Sequence, residues 1–109
     1  MNRFQKIFDG QKKVSVGYVT AGCPSAASSL EFMRGMIEGG TDILEIGIPF
    51  SDPTADGPVI QKSSQTALRN GFVTEQVFEL TAALRKDYPE LGILVMARPT
   101  LSKILYLQQ

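Results

Sequence analysis

The chain has 109 residues, the length of one small domain, and its 43% hydrophobic and 20% charged residues are the balance of a soluble globular chain. Eleven basic and eleven acidic side chains cancel, so nothing in the charge suits a nucleic-acid or anionic-membrane surface. No apolar run reaches the ~18 residues of a membrane span, Met1–Lys6 lacks the apolar core of a signal peptide, and the lone Cys23 has no internal disulfide partner, which together predict a cytoplasmic protein.

Phe4, Ile7 and Phe8 stand at i, i+3 and i+4, with Gly10 after them. That spacing predicts a short amphipathic helix over residues 2–10 whose aromatics pack into the core. Val14 to Thr20 reads as the first strand, with Val14, Val16, Tyr18 and Thr20 on one face and Ser15, Gly17 and Val19 on the other. Ala21-Gly22-Cys23-Pro24 is the turn at its C-terminal end, where Cys23 reads as a loop residue, with no base near it in sequence to activate a thiol. Ser28 and Glu31 have the S-x-x-E spacing of a capping box, which predicts a helix opening at Ser28. Leu30, Met33 and Ile37 line one stripe of it, and Gly39-Gly40 stops it.

Ile43-Leu44-Glu45-Ile46-Gly47-Ile48 is a second buried strand, rich in β-branched residues and bounded by turn signals. Alternation puts Ile43, Glu45 and Gly47 on one face and Leu44, Ile46 and Ile48 on the other. Glu45 does not fit an all-apolar strand. An unpaired carboxylate in such a place is costly, so it is paired, protonated or functional. Gly47 leaves room beside it, and Tyr18 on the adjacent strand is either filler for the core or a wall of a small polar pocket.

Pro49 to Gly57 is a loop at the strand's C-terminal end, the end where α/β proteins build their sites. It brings a second carboxylate, Asp56, close to the start of the next helix, which Pro58 suits. Asp56 reads either as a turn or N-cap residue or as a carboxylate kept ionised by the helix terminus. The helix Pro58–Asn70 would face Ile60, Ser64, Ala67 and Leu68 inward and end at Gly71. Another follows from an N-cap at Thr74 to Lys86, with Val77, Leu80, Thr81 and Leu84 as its buried stripe. Lys12-Lys13 and Arg85-Lys86 read as solvated charges. Gly92 to Ala97 is the third strand. Apolar strands alternating with helices predict an α/β fold with a parallel sheet under covering helices, in a single domain over residues 1–109.

Leu44-Glu45-Ile46-Gly47-Ile48-Pro49-Phe50-Ser51-Asp52-Pro53, then Ala55-Asp56-Gly57-Pro58 and Ile60-Gln61, resembles the alpha subunit of tryptophan synthase. Tyr18-Val19-Thr20-Ala21-Gly22 with Pro24 supports the likeness upstream, and Ala67-Leu68, Gly71 and Val95-Met96 downstream, over roughly residues 1–96. The resemblance implies a (β/α)8 TIM barrel, which takes about 250 residues, so this chain has room for its first three strands. It would be a fragment or a truncated product. After Met96 the family's Tyr and Asn-Pro pair are absent and residues 97–109 form a divergent tail, as a frameshift near codon 97 would produce. Ser102 to Gln109 has the length of a short helix, with Ile104 and Leu105 in need of cover.

The resemblance further implies a lyase of tryptophan biosynthesis that cleaves indole-3-glycerol phosphate to indole and glyceraldehyde 3-phosphate, without metal or organic cofactor. Ring protonation and loss of a hydroxyl proton call for a proton-shuttling carboxylate, which the family pattern places at Glu45. Asp56 takes the position of the carboxylate that meets the indole N–H, and Tyr18 that of the aromatic against the indole ring. Pro49, Asp52 and Pro53 lie where the family contacts the beta subunit. The substrate phosphate would be held by loops after strands seven and eight, which lie outside these 109 residues. Two other readings compete: a non-catalytic fragment that binds the beta subunit, and a barrel enzyme holding Mg²⁺ on Glu45, Asp52 and Asp56.

Overall fold

Parallel strands need long return connections, and here the returns are helices. The computed structural model describes residues 2–10, 13–49 and 58–96 and the backbone of 104–106. The order is α1 (Arg3–Asp9), β1 (Val16–Thr20), α2 (Ala26–Glu38), β2 (Ile43–Gly47), α3 (Pro58–Arg69), α4 (Glu75–Asp87), β3 (Gly92–Met96) and β4 (Ile104–Tyr106). The strands lie side by side in chain order. β1–β2 and β2–β3 are parallel, and β4 pairs antiparallel to β3.

One face of the sheet carries Val19, Leu44, Ile46, Ile93 and Val95. They form a single buried cluster with Met33 of α2, Ala67 of α3, and Val77, Leu80 and Leu84 of α4. This is the apolar stripe the helical spacings predict. The opposite face is ordered in rows by the register: Val16–Ile43–Gly92, then Tyr18–Glu45–Leu94, then Thr20–Gly47–Met96. Its first row is sealed by α1. Phe4, Ile7 and Ile43 converge on Gly92, where an added Cβ would lie 3.0–3.1 Å from each of them.

Several local expectations change in the fold. α2 opens three residues early, with Ser25 as its N-cap accepting from Ser28 N, because Ser29 is drawn inward. The Ser29 hydroxyl accepts from Gly22 N at 3.0 Å, which ties the β1 turn to the first turn of α2. Gly22 itself sits at φ +83°, a left-handed conformation that suits glycine. Thr74 holds the N-cap position of α4 without a side-chain bond; Gln76 Oε1 instead accepts from Val73 N at 2.9 Å. Phe8 and Leu68 point outward, since the short α1 has room for one buried side chain and α3 is buried through Ser64 and Ala67. Arg85 is no solvated charge. Its guanidinium donates to the carbonyls of Tyr88, Pro89 and Leu91 and closes the turn from α4 into β3, and burial lowers its pKa.

The tail differs most. Residues 104–106 are a strand, not a helix. Pairing with β3 satisfies backbone groups that a bare parallel edge would leave open. Of the two open edges an isolated three-stranded unit would have, the β3 edge is therefore covered by this chain itself. Ile43 is likewise covered, at 3% exposure, whereas Val16 and Tyr18 remain on the surface.

Candidate functional site

Glu45 is the one charged residue in the four described strands. It is half-buried at the middle of β2, with Tyr18 as its register partner on β1 and Leu94 on β3. Neighbouring strands run about 4.8 Å apart, so the carboxylate is flanked by an aromatic and an aliphatic side chain. The Tyr18 ring leans from β1 across to β2, and its hydroxyl end lies over Gly47. The space that glycine leaves is thus filled by Tyr18.

The C-terminal end of the sheet is held by main-chain and hydroxyl contacts. Ala21 N donates to Gly47 O at 2.9 Å, and Ile48 N donates to Met96 O at 3.0 Å, so the three parallel strands leave the sheet together. Thr20 and Ser63 hydroxyls are 2.7 Å apart, joining the top of β1 to α3. Pro49 is buried just beyond β2. Sequence reasoning missed the Thr20–Ser63 bond and the place of Leu94 and Met96 on the Glu45 face. The first has no local signal, and the second follows only from the register between strands.

Tyr18 also faces a cleft of about 350 Å³ lined by Phe32, Val59, Ile60 and Ser63. A larger cleft of about 490 Å³ lies at the opposite, N-terminal end of the sheet, beside Lys6, Asp42, Asp87 and Glu90. Its carboxylates are engaged: Asp42 accepts from Ser15 N, Asp87 pairs with Arg34, and Glu90 pairs with Lys6. That cleft has the smaller claim to chemistry, since α/β sites form at strand C-termini.

Of the sequence-derived site residues, the structure brings Glu45 and Tyr18 together and places Pro49 at the C-terminal end of the same strand as Glu45. Asp52, Pro53 and Asp56 lie outside the described residues. Among the described residues, no three His, Cys, Asp or Glu side chains cluster as metal ligands would. No described helix is long and apolar enough to cross a membrane.

Comparison with known proteins agrees with this geometry. The family model described as tryptophan synthase alpha chain matches residues 4–104, running past Met96 into the tail. The tryptophan synthase alpha chain of Desulfosudis oleivorans is 54% identical over 92 residues, covering 81% of this chain and 35% of the relative. That of Aquifex aeolicus is 43% identical over 95 residues, covering 87% and 36%. The crystal structure of the alpha subunit from Legionella pneumophila superposes with a TM-score of 0.82 at 35% identity, covering 92% of this chain and 40% of that one. Tryptophan synthase from Mycobacterium tuberculosis in its aminoacrylate-bound form gives 0.82 at 30% identity, covering 89% and 40%. The chain spans little more than a third of the length of the curated relatives it matches. Its three parallel strands with their helices are a partial TIM barrel, and the chain belongs to the tryptophan synthase alpha chain family.

Proposed function

We propose that this chain forms the first part of a lyase that cleaves indole-3-glycerol phosphate to indole and glyceraldehyde 3-phosphate. The observation that carries the reading is Glu45, the one carboxylate in the strands, set mid-sheet between Tyr18 and Leu94. A half-buried carboxylate on a rigid strand is positioned to give a proton to C3 of the ring and take one from the side-chain hydroxyl. Tyr18 supplies the apolar surface for the indole, and Asp56 the negative charge at its N–H. The mechanism needs no metal or organic cofactor. Residues 1–109 act as one domain, cytoplasmic like the pathway it serves.

Within these residues there are three parallel strands, so the phosphate-binding loops that the family builds after its seventh and eighth strands have no counterpart here. The 109-residue chain alone is therefore expected to release no measurable indole. The roles are tested in a full-length barrel carrying this N-terminal sequence. Glu45→Gln abolishes turnover with the fold intact, and Asp56→Asn impairs it. Near-normal turnover in Glu45→Gln refutes the shuttle; a silent Asp56→Asn leaves Asp56 as a capping residue.

The partial extent of the chain favours a second reading, a non-catalytic fragment that binds the tryptophan synthase beta subunit through Pro49, Asp52 and Pro53. Co-sedimentation with a beta subunit, lost on Pro49→Gly or Asp52→Ala, separates it from the first.

A further inference from the structure

The residue two places after Glu45 has no side chain, and the reason is space. A Cβ built on Gly47 would lie 2.7 Å from Tyr18 Cζ and 3.1 Å from Cε2, with the Tyr18 hydroxyl oxygen closer still. The backbone does not demand glycine there: the positive-φ glycines are Gly22, Gly40 and Gly71. Nor is the obstacle soft. A tyrosine ring is rigid and moves as a unit about two torsions, so a methyl group at position 47 would turn the whole ring off β2. Tyr18 is 36% exposed, which leaves it free to swing outward. The ring would then no longer lie across the two strands beside Glu45.

We propose that Gly47 is a positioning residue. It seats the Tyr18 ring against β2, and the seated ring is the surface on which a flat aromatic substrate ring stacks within reach of the Glu45 carboxylate. The choice of an indole ring rests on the lyase reading above; the seat does not. Aromatic rings favour offset or edge-to-face contact over a narrow range of separations, so a displaced Tyr18 spoils the fit even though Glu45 keeps its place on β2.

The test compares Gly47→Ala in the 109-residue chain with the same substitution in Tyr18→Phe and Tyr18→Ala backgrounds. Urea unfolding and titration with indole followed by NMR are the readouts. Gly47→Ala is expected to lower the urea midpoint, to lower it less when the hydroxyl is removed by Tyr18→Phe, and to leave it unchanged in the Tyr18→Ala background. Indole affinity should fall about tenfold in Gly47→Ala, the scale of one misplaced methylene in an apolar pocket, and be indifferent to it once the ring is gone. Equal losses with and without the Tyr18 ring overturn the proposal. If Gly47→Ala alone fails to fold, recovery of folding in Tyr18→Ala/Gly47→Ala supports the seat and its failure overturns it. Indole that binds no form, with the stability coupling intact, overturns the lyase reading and leaves the seat standing.

Discussion

Replacing Ile7 by Ala should show whether α1 is the lid on the N-terminal end of the Glu45 face. α1 has 7 residues, too few to persist in water by itself. Its capping box, Asn2 with Gln5, organises the first turn without anchoring it to the sheet. The Lys6–Glu90 pair at 3.7 Å joins two exposed side chains, and such pairs contribute about 0–1 kcal/mol. What remains is Ile7, 7% exposed against Ile43 and Gly92. Truncating a buried Ile to Ala costs about 2–5 kcal/mol. At the rim, where water can enter the gap, the lower part of that range applies, about 2–3 kcal/mol. With a urea slope of about 1–1.5 kcal/mol/M for a small domain, the midpoint should fall by about 2 M. Phe8, one residue on, is 56% exposed, and Phe8→Ala should stay within about 0.5 kcal/mol. Urea titrations of both variants, with amide exchange of Ile43 and Leu44 as a local probe, decide the matter. An Ile7→Ala cost below about 0.5 kcal/mol, or a Phe8→Ala cost equal to it, refutes the sealing role.

Two further outcomes are expected. The Tyr88 hydroxyl donates to Glu38 at 2.9 Å; that bond first, and then burial, raise the phenol's pKa, against a smaller opposing effect of Arg34. Because the folded value is the higher one, this contribution is complete below the unfolded value near 10 and is lost as pH climbs through the folded value. Urea midpoints at rising alkaline pH should therefore drop more for the parent chain than for Tyr88→Phe, and equal drops would exclude Tyr88 as the source. On the other side of the sheet, β1 is an outer strand with Val16 51% exposed. The parent chain should sediment with a concentration-dependent increase in mass that Val16→Lys reduces, since a lysine on an edge strand opposes pairing; identical behaviour of the two would remove β1 as the contact.

The amino-acid sequence by itself determined most of the architecture. Three apolar runs of strand length, separated by helical stripes such as Val77-Leu80-Thr81-Leu84, leave few arrangements besides a parallel sheet with helices. Glu45 was legible for the same reason: a charge inside an apolar strand conflicts with its surroundings, and period-two alternation already assigns it a face. Tertiary structure decided what local pattern does not encode. Which of Phe4, Ile7 and Phe8 is buried depends on where α1 meets Ile43 and Gly92, because helical spacing defines a stripe but not its partner. The start of α2 moved because Ser29 is claimed by Gly22, a bond between segments that no capping pattern contains. The tail became a strand because β3 offered an unpaired edge, a demand set by a neighbour rather than by residues 104–106. The register is likewise a property of two chains of backbone held side by side. It alone sets Tyr18 opposite Glu45 and brings the tyrosine hydroxyl over Gly47, so the space that makes the site was visible only once the strands were paired.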